Sequence, residues 1–224
     1  MAGDYRVVKL LRTVSLVVAM VIVSAVGLAG CARDSSNSAG VTIVGGEQPG
    51  PWKGVELDPP TARPAIMLTD VDGSPFDFRA RTAGKITLLY FGYTHCPDVC
   101  PLLMSYIAQA LKDLPAKVAD KVDVVFVTVD PARDTGPVLR GWLNNIDPAF
   151  IGLTGSIEQI VAAEKAAGVP TSSMDSSEPN GYTVLHSAEV LAFGFDDQAH
   201  VLFDSASTPT DFEHDLRLLA KGVT

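Results

Sequence analysis

The sequence predicts one α/β sandwich domain over residues 55–224. Buried apolar runs at residues 86–91 and 122–129 have the character of central strands, covered on both faces. Amphipathic helical segments alternate with these strands, and two antiparallel strands and a last helix close the pattern. This order predicts a three-layer sandwich, with helices packed on the faces of a central sheet.

The remaining elements follow from turn and capping signals along the chain. A hairpin over residues 64–79 extends the domain at its N-terminus, because turn residues separate two short alternating segments. Helices are expected at residues 102–114, 135–144, 157–167 and after residue 208. Short strands are expected at 150–153, 182–185, 187–195 and 200–203, the last three forming a meander. Residues 170–181, rich in Ser and Pro, are expected to form a loop.

The N-terminus has the features of a lipoprotein signal peptide over residues 1–30. A basic start precedes an apolar stretch at 13–26 that is short for a membrane span; its basic residues are Arg6, Lys9 and Arg12. The following Leu28-Ala29-Gly30-Cys31 resembles a bacterial lipobox, which implies cleavage before Cys31 and lipid attachment to its sulfur. A plain signal peptide and an uncleaved anchor are the alternatives. Residues 31–54 then form a flexible tether, which predicts a chain anchored to the cell membrane and facing the extracytoplasmic side.

The charge balance argues against one class of partner. The chain carries 26 acidic and 17 basic residues, a net charge of −9. Non-specific binding to nucleic acid requires a basic surface. We therefore expect no nucleic-acid partner.

Two of the three cysteines lie where a buried strand leads into a helix. Cys96 and Cys100 follow the strand at 86–91 and precede the helix at 102–114. A helix N-terminus offers free N–H groups and partial positive charge, which favour thiolate over thiol. A buried strand that delivers cysteines to a helix start is the thioredoxin arrangement. With Cys31 lipidated, Cys96 and Cys100 would be the remaining thiols, suited to redox or to metal chemistry.

The spacing of the two cysteines fits a soft metal ion. In a regular helix, residues i and i+4 lie one turn apart on the same face. Two thiolates with one imidazole favour Cu(I), or zinc if a fourth ligand joins them. A disulfide is also possible, because Pro97 permits an irregular first turn. Switching between dithiol and disulfide would then control metal binding.

Three segments resemble the Sco/SenC family and occur in the family's order: Phe91-Gly92-Tyr93-Thr94-His95-Cys96-Pro97-Asp98-Val99-Cys100-Pro101, Thr128-Val129-Asp130-Pro131-Ala132-Arg133-Asp134-Thr135, and His186-Ser187. The resemblance implies a membrane-tethered, thioredoxin-like copper protein that helps assemble the binuclear copper centre of cytochrome c oxidase. Carried over by position, the copper ligands are Cys96, Cys100 and His186, and Asp130 is an acid near the metal. Leu185 departs from the family, which commonly has an acidic residue before the ligand histidine.

Two main functions remain open from the sequence. The first is a metallochaperone that binds copper, as Cu(I) or Cu(II), and passes it to the oxidase subunit with the copper site. The second is a thiol–disulfide reductase that keeps that subunit's cysteines reduced through Cys96 and Cys100; a peroxidase-like thiol enzyme is a third reading. His95 is a further candidate beside Cys96, whereas Met174, His200 and His214 are expected to be ordinary surface or structural residues.

Overall fold

The core of the protein is a mixed eight-stranded sheet with the strand order β1-β10-β9-β4-β5-β6-β2-β3. The computed structural model describes residues 50–177 and 181–224. The strands of this sheet are β1 (Val55–Ala62), β2 (Met67–Asp70), β3 (Pro75–Asp77), β4 (Ile86–Gly92), β5 (Val122–Thr128), β6 (Ile151–Thr154), β9 (Val190–Phe193) and β10 (Gln198–Phe203). A separate two-stranded ribbon consists of β7 (Ser173–Asp175) and β8 (Thr183–Leu185).

The centre of the sheet is parallel and buried, as the apolar runs predict. All seven residues of β4 are buried, and β4 pairs in parallel with β5 over its whole length. Tyr90 lies opposite Phe126 in this pairing, and their rings meet edge to face with centroids 5.7 Å apart. The predicted hairpin is confirmed as β2 and β3, which join the sheet beyond β6.

Helices connect and cover the strands; the four longer ones lie at the predicted places, and the two four-residue helices were not predicted. The helices are α1 (Phe78–Arg81), α2 (Val99–Asp113), α3 (Ala116–Ala119), α4 (Gly136–Asn144), α5 (Ile157–Ala167) and α6 (Pro209–Leu219). The predicted capping box at Ser156 and Gln159 begins α5, and Gly168 ends that helix with a φ of 75°. Thr208 and Asp211 form a second capping box at the start of α6. The architecture is thus the predicted α/β sandwich of thioredoxin type.

The prediction of a plain loop over residues 170–181 is wrong within the described part of that segment. Ser173–Asp175 forms β7 and pairs antiparallel with β8. The predicted meander is also wrong at its first strand, since β8 pairs with β7 and not with β9. Met174, the apolar residue of β7, is mostly exposed, so the sequence of β7 carries no signal of a buried strand face. As a result, the chain that leads to His186 lies on a ribbon outside the main sheet.

The described chain is already packed before residue 55. Trp52 is buried and stacks on the ring of His200, with centroids 6.4 Å apart. The backbone N–H groups of Lys53 and Gly54 donate hydrogen bonds to the buried carboxylate of Asp215. Residues 52–54 therefore belong to the packed domain, although the sequence places them in the tether.

The predicted signal peptide, Cys31 and most of the tether lie outside the described residues. Within residues 50–177 and 181–224, none of the helices combines the length and apolar character that crossing a bilayer requires.

Candidate metal centre

The two cysteines lie on either side of the point where α2 begins. Strand β4 ends at Gly92, and a turn carries the chain to Val99, where α2 starts. Cys96 lies in this turn and Cys100 lies in the first turn of the helix, fully buried. The expectation that helical spacing alone places both sulfurs on one face is therefore wrong, because Cys96 is not helical. The irregular turn at Pro97 brings the two sulfurs together instead.

His186 reaches the cysteines from the ribbon. It follows β8 directly, and its Nδ1–H donates a hydrogen bond of 2.7 Å to the carbonyl oxygen of Ser187. We assign the ring tautomer from this bond, which leaves the lone pair on Nε2. Nε2 lies 3.4 Å from Cys100 Sγ. The ring also packs edge to face against Tyr93 and Tyr90, with centroids 5.4 Å and 6.2 Å away.

Three donor atoms converge at this point, two sulfurs and one imidazole nitrogen. One ligand atom from each of Cys96, Cys100 and His186 lies within 4.8 Å of the others. Two donors bound to one ion at about 2.3 Å lie at most about 4.6 Å apart. The three groups therefore fit a single soft ion with little movement.

The two sulfurs differ sharply in acidity. A hydrogen bond with Cys100 lowers the pKa of Cys96 to about 3 against the opposing effect of burial, and His186 contributes in the same direction. Burial raises the pKa of Cys100, and its hydrogen bond with Cys96 adds to the increase. These shifts favour a Cys96 thiolate beside a Cys100 thiol in the metal-free reduced pair. Backbone N–H groups of Asp98 and Cys100, at the helix start, also lower the pKa of Cys96.

A polar network beside the site joins the end of β5 to the ribbon that carries His186. The Tyr182 hydroxyl donates to Asp130 Oδ1 at 2.8 Å, and Arg133 Nε donates to Asp130 Oδ2. The Arg133 guanidinium also donates to the Tyr182 carbonyl and stacks on the Tyr182 ring at 3.8 Å. Asp130 is not among the three converging donors, but its contacts fix Tyr182 just before β8, the strand that leads to His186.

Asp134 fixes the turn that carries Cys96, as Asp130 fixes the chain before His186. Asp134 comes two residues before α4 begins at Gly136, but its carboxylate points toward the cysteine turn. Fully buried, it accepts hydrogen bonds from the Thr94 N–H and hydroxyl and from the Thr128 hydroxyl. The segment after β5 therefore holds the cysteine turn through Asp134 and the ribbon through Asp130.

The other candidate residues lie away from the three donors. His95 has a side chain that is 52% exposed, and its Nδ1 contacts the Thr94 hydroxyl. Met174 is 66% exposed. His200 pairs with Asp196, and His214 contacts Asp215. These positions agree with the expectation that Met174, His200 and His214 are ordinary.

Gly92 is a site residue that the sequence did not reveal. A Cβ atom at this position would lie 2.7 Å from Cys100 Sγ and 3.0 Å from the Phe126 ring. Such contacts are too close, so Gly92→Ala must displace the sulfur or the strand. We expect this change to weaken binding of a soft metal by about tenfold or more and to cost about 1–3 kcal/mol of stability. Metal titration and urea denaturation measure the two effects.

Gly141→Ala is the matched control. Gly141 lies within α4, and a Cβ there meets nothing within 4 Å. Alanine is favoured over glycine in a helix by about 1 kcal/mol, so this variant should be at least as stable as the parent protein with unchanged metal binding. If Gly92→Ala also kept the metal affinity of the parent protein, the proposed clash between its Cβ and Cys100 Sγ would be refuted.

Comparison with known proteins agrees with this geometry. The SCO1/SenC family model matches residues 57–221. SenC of Rhodobacter capsulatus is 45% identical over 103 residues, which are 42% of this chain and 46% of SenC. The structure of Bradyrhizobium japonicum ScoI with copper bound is 32% identical, with a TM-score of 0.62 over 70% of this chain and 98% of that one. A SCO1/SenC family lipoprotein from Bacillus anthracis is 25% identical, with a TM-score of 0.58 over 72% of this chain and 97% of that one.

The family model covers nearly the whole domain, whereas the curated relatives are longer than the part that matches this chain. The chain spans between 40% and 65% of the length of the curated relatives compared with it. The family model, however, extends from β1 to the end of α6 and includes all three converging donors. The chain therefore belongs to the SCO1/SenC family.

Proposed function

We propose that this protein is a membrane-anchored, extracytoplasmic copper metallochaperone that helps assemble the binuclear copper site of cytochrome c oxidase. It binds one copper ion through Cys96, Cys100 and His186 and delivers it to the oxidase subunit that carries that site. The convergence of two sulfurs and one imidazole nitrogen within 4.8 Å is the observation that carries the proposal. Family membership supports the proposed role in oxidase assembly.

The donor set favours copper over zinc. Structural zinc sites are closed by four protein ligands, whereas the described residues bring three side-chain donors together here. Thiolate and imidazole ligands suit Cu(I), and imidazole also suits Cu(II). Binding releases the Cys100 proton, since a metal-bound thiol is deprotonated. The Ser187 carbonyl, which accepts from Nδ1, keeps the Nε2 lone pair directed at the metal.

The position of the site suits transfer of its cargo. Cys100 is fully buried, but Cys96 retains a little exposure. An open cleft beside His186 is lined by Pro170, Thr171, Leu185 and Glu189, among others. An acceptor sulfur or imidazole that enters on this side can replace the protein ligands one at a time. Copper then passes between proteins without release into water.

Asp130 is proposed to orient the histidine ligand indirectly. Its two carboxylate oxygens accept from Tyr182 and Arg133, which fixes the chain four residues before His186. Outer contacts of this kind typically change metal affinity by about 10–100-fold. Asp130→Leu should therefore weaken copper binding by about tenfold. An unchanged affinity would assign Asp130 to turn formation before Pro131.

The membrane anchor is proposed to be a lipid on Cys31. The Leu28-Ala29-Gly30-Cys31 sequence supports it, as does the lipoprotein among the similar structures. Mass spectrometry of the mature N-terminus should find a diacylglyceryl group on Cys31, and Cys31→Ser should release the protein from membranes. An unmodified Cys31 would rule this anchor out.

Thiol–disulfide reduction is the second candidate function. The lowered pKa of Cys96 supports it, because a thiolate is the attacking species in disulfide exchange. The same pair could reduce the cysteines of the oxidase copper site before copper arrives. This role needs Cys96 and Cys100 but does not need His186.

Comparing oxidised with reduced protein distinguishes copper bound by the two thiolates from copper adsorbed on the surface. The two sulfurs are unbonded and close together, so oxidation can join them into a disulfide. A disulfide has no thiolate to offer, so the oxidised protein should lose copper binding while the reduced protein binds one equivalent. Copper content after gel filtration checks this expectation. Equal binding by both forms would contradict a site built on the two thiolates.

A further inference from the structure

The hydroxyl group of Tyr90 lies directly beneath the proposed copper site. Tyr90 is in the centre of β4 and is fully buried among core side chains. Its hydroxyl oxygen lies 3.4 Å from Cys100 Sγ. A buried phenol needs a hydrogen-bond partner, and the sulfur is the partner that the described structure supplies.

The phenol must be the donor in this pair once copper is bound. A metal-bound Cys100 is a thiolate and has no proton to donate. A phenol carries its proton at neutral pH, and the Tyr90 hydroxyl is placed as the donor to Cys100 Sγ. Copper leaves lone pairs on the sulfur that can accept a hydrogen bond. The O–H group of Tyr90 therefore points at the sulfur of a copper ligand.

A hydrogen bond to a ligand sulfur affects the two oxidation states of copper unequally. It draws electron density from the sulfur and weakens sulfur donation to the metal. Cu(II) depends on that donation more than Cu(I) does, so the bond disfavours Cu(II). Hydrogen bonding around a cysteine sulfur is a recognised means of tuning copper and iron–sulfur potentials.

We propose that Tyr90 determines which oxidation state the site prefers, biasing it toward Cu(I) through its hydrogen bond to Cys100. The inference rests on the proposed copper function and adds a specificity-determining residue to it. The Tyr90 ring packs against Phe126 as well, but that contact would survive loss of the hydroxyl. The preference for Cu(I) therefore comes from the O–H group and not from the packing of the ring.

Tyr90→Phe tests this inference because it removes one oxygen atom and keeps the ring. The purified protein is loaded with one equivalent of copper, and the Cu(II)/Cu(I) reduction potential is measured with an electrode and mediators. We expect the ratio of Cu(I) affinity to Cu(II) affinity to fall about tenfold, which is about 59 mV toward lower potential for a one-electron couple. Tyr106→Phe is the control, since Tyr106 lies further along α2, outside the three-donor cluster.

A spectroscopic signature accompanies the change. Without the hydrogen bond the sulfur lone pairs rise in energy, so the sulfur-to-Cu(II) charge-transfer band of Tyr90→Phe should move to longer wavelength. Copper stoichiometry should remain at one. A full copper load with unchanged potential and unchanged band would overturn the role of Tyr90 while leaving the copper site intact. Failure of the unaltered protein to bind copper would instead overturn the proposed function, and this inference with it.

Discussion

Replacing His186 with alanine is expected to lower copper affinity by about 100-fold or more and to abolish oxidase assembly in cells. The change removes one of three donors and leaves a two-sulfur site, and even the loss of an outer contact costs about 10–100-fold. Thiol–disulfide exchange should survive, because the sulfurs of Cys96 and Cys100 remain. Competition with a Cu(I) chelator, an insulin-reduction assay and oxidase activity in membranes measure the three effects.

His95→Ala is the control for His186→Ala. His95 is next to Cys96 in sequence, yet its ring contacts the Thr94 hydroxyl and stands largely in solvent. We expect a change in copper affinity of less than about tenfold. If His186→Ala left oxidase assembly intact, copper delivery would be the wrong function and the reductase would become the better one.

Arg63→Met is expected to destabilise the fold by about 3–5 kcal/mol, because several buried acceptors lose their hydrogen bonds at about 1–3 kcal/mol each. Arg63 follows β1 and is almost completely buried. Its guanidinium donates to five acceptors on two segments: Thr82, Thr87 and the Lys85 carbonyl on one, Asp197 and the Gly194 carbonyl on the other. Methionine would fill the space but leave these acceptors without their donor. Urea denaturation followed by circular dichroism measures the loss.

Arg81→Met provides the comparison. Arg81 ends α1 nearby, but it is exposed and covers the ring of Phe76 from outside. Exposed substitutions usually change stability by no more than about 0.5 kcal/mol. Similar losses of unfolding free energy for Arg63→Met and Arg81→Met would show that the hydrogen bonds of Arg63 do not stabilise the fold.

The sequence predicted those elements of the fold whose signals are local. The apolar run in β4 and the capping residues of α5 depend on near neighbours, so both could be recognised directly. Strand β7 could not, because it is short and mostly exposed, and β8 was predicted as a strand without any local signal for its pairing with β7. Strand β1 was also missed, since its Asp58-Pro59-Pro60 sequence resembles a loop.

The residues of the candidate site also divide into those with a local sequence signal and those whose role depends on distant contacts. Cys96 and Cys100 were candidates from their placement and spacing, His186 was identified through a family resemblance, and the structure brings their donors together. Gly92, Tyr90 and Asp134 were not singled out, because each acts on a residue brought close only by the fold. Asp134 lies 40 positions from Thr94, and nothing in the sequence around it indicates that pairing.

The most direct test of the proposed copper site is X-ray absorption at the copper edge, combined with copper stoichiometry of the reduced protein. We predict one copper per chain, bound by two sulfurs and one nitrogen. The sulfur count should fall to one in Cys96→Ser or Cys100→Ser, and the nitrogen should disappear in His186→Ala. A coordination shell that is unchanged by all three substitutions would place copper elsewhere and contradict the proposed site.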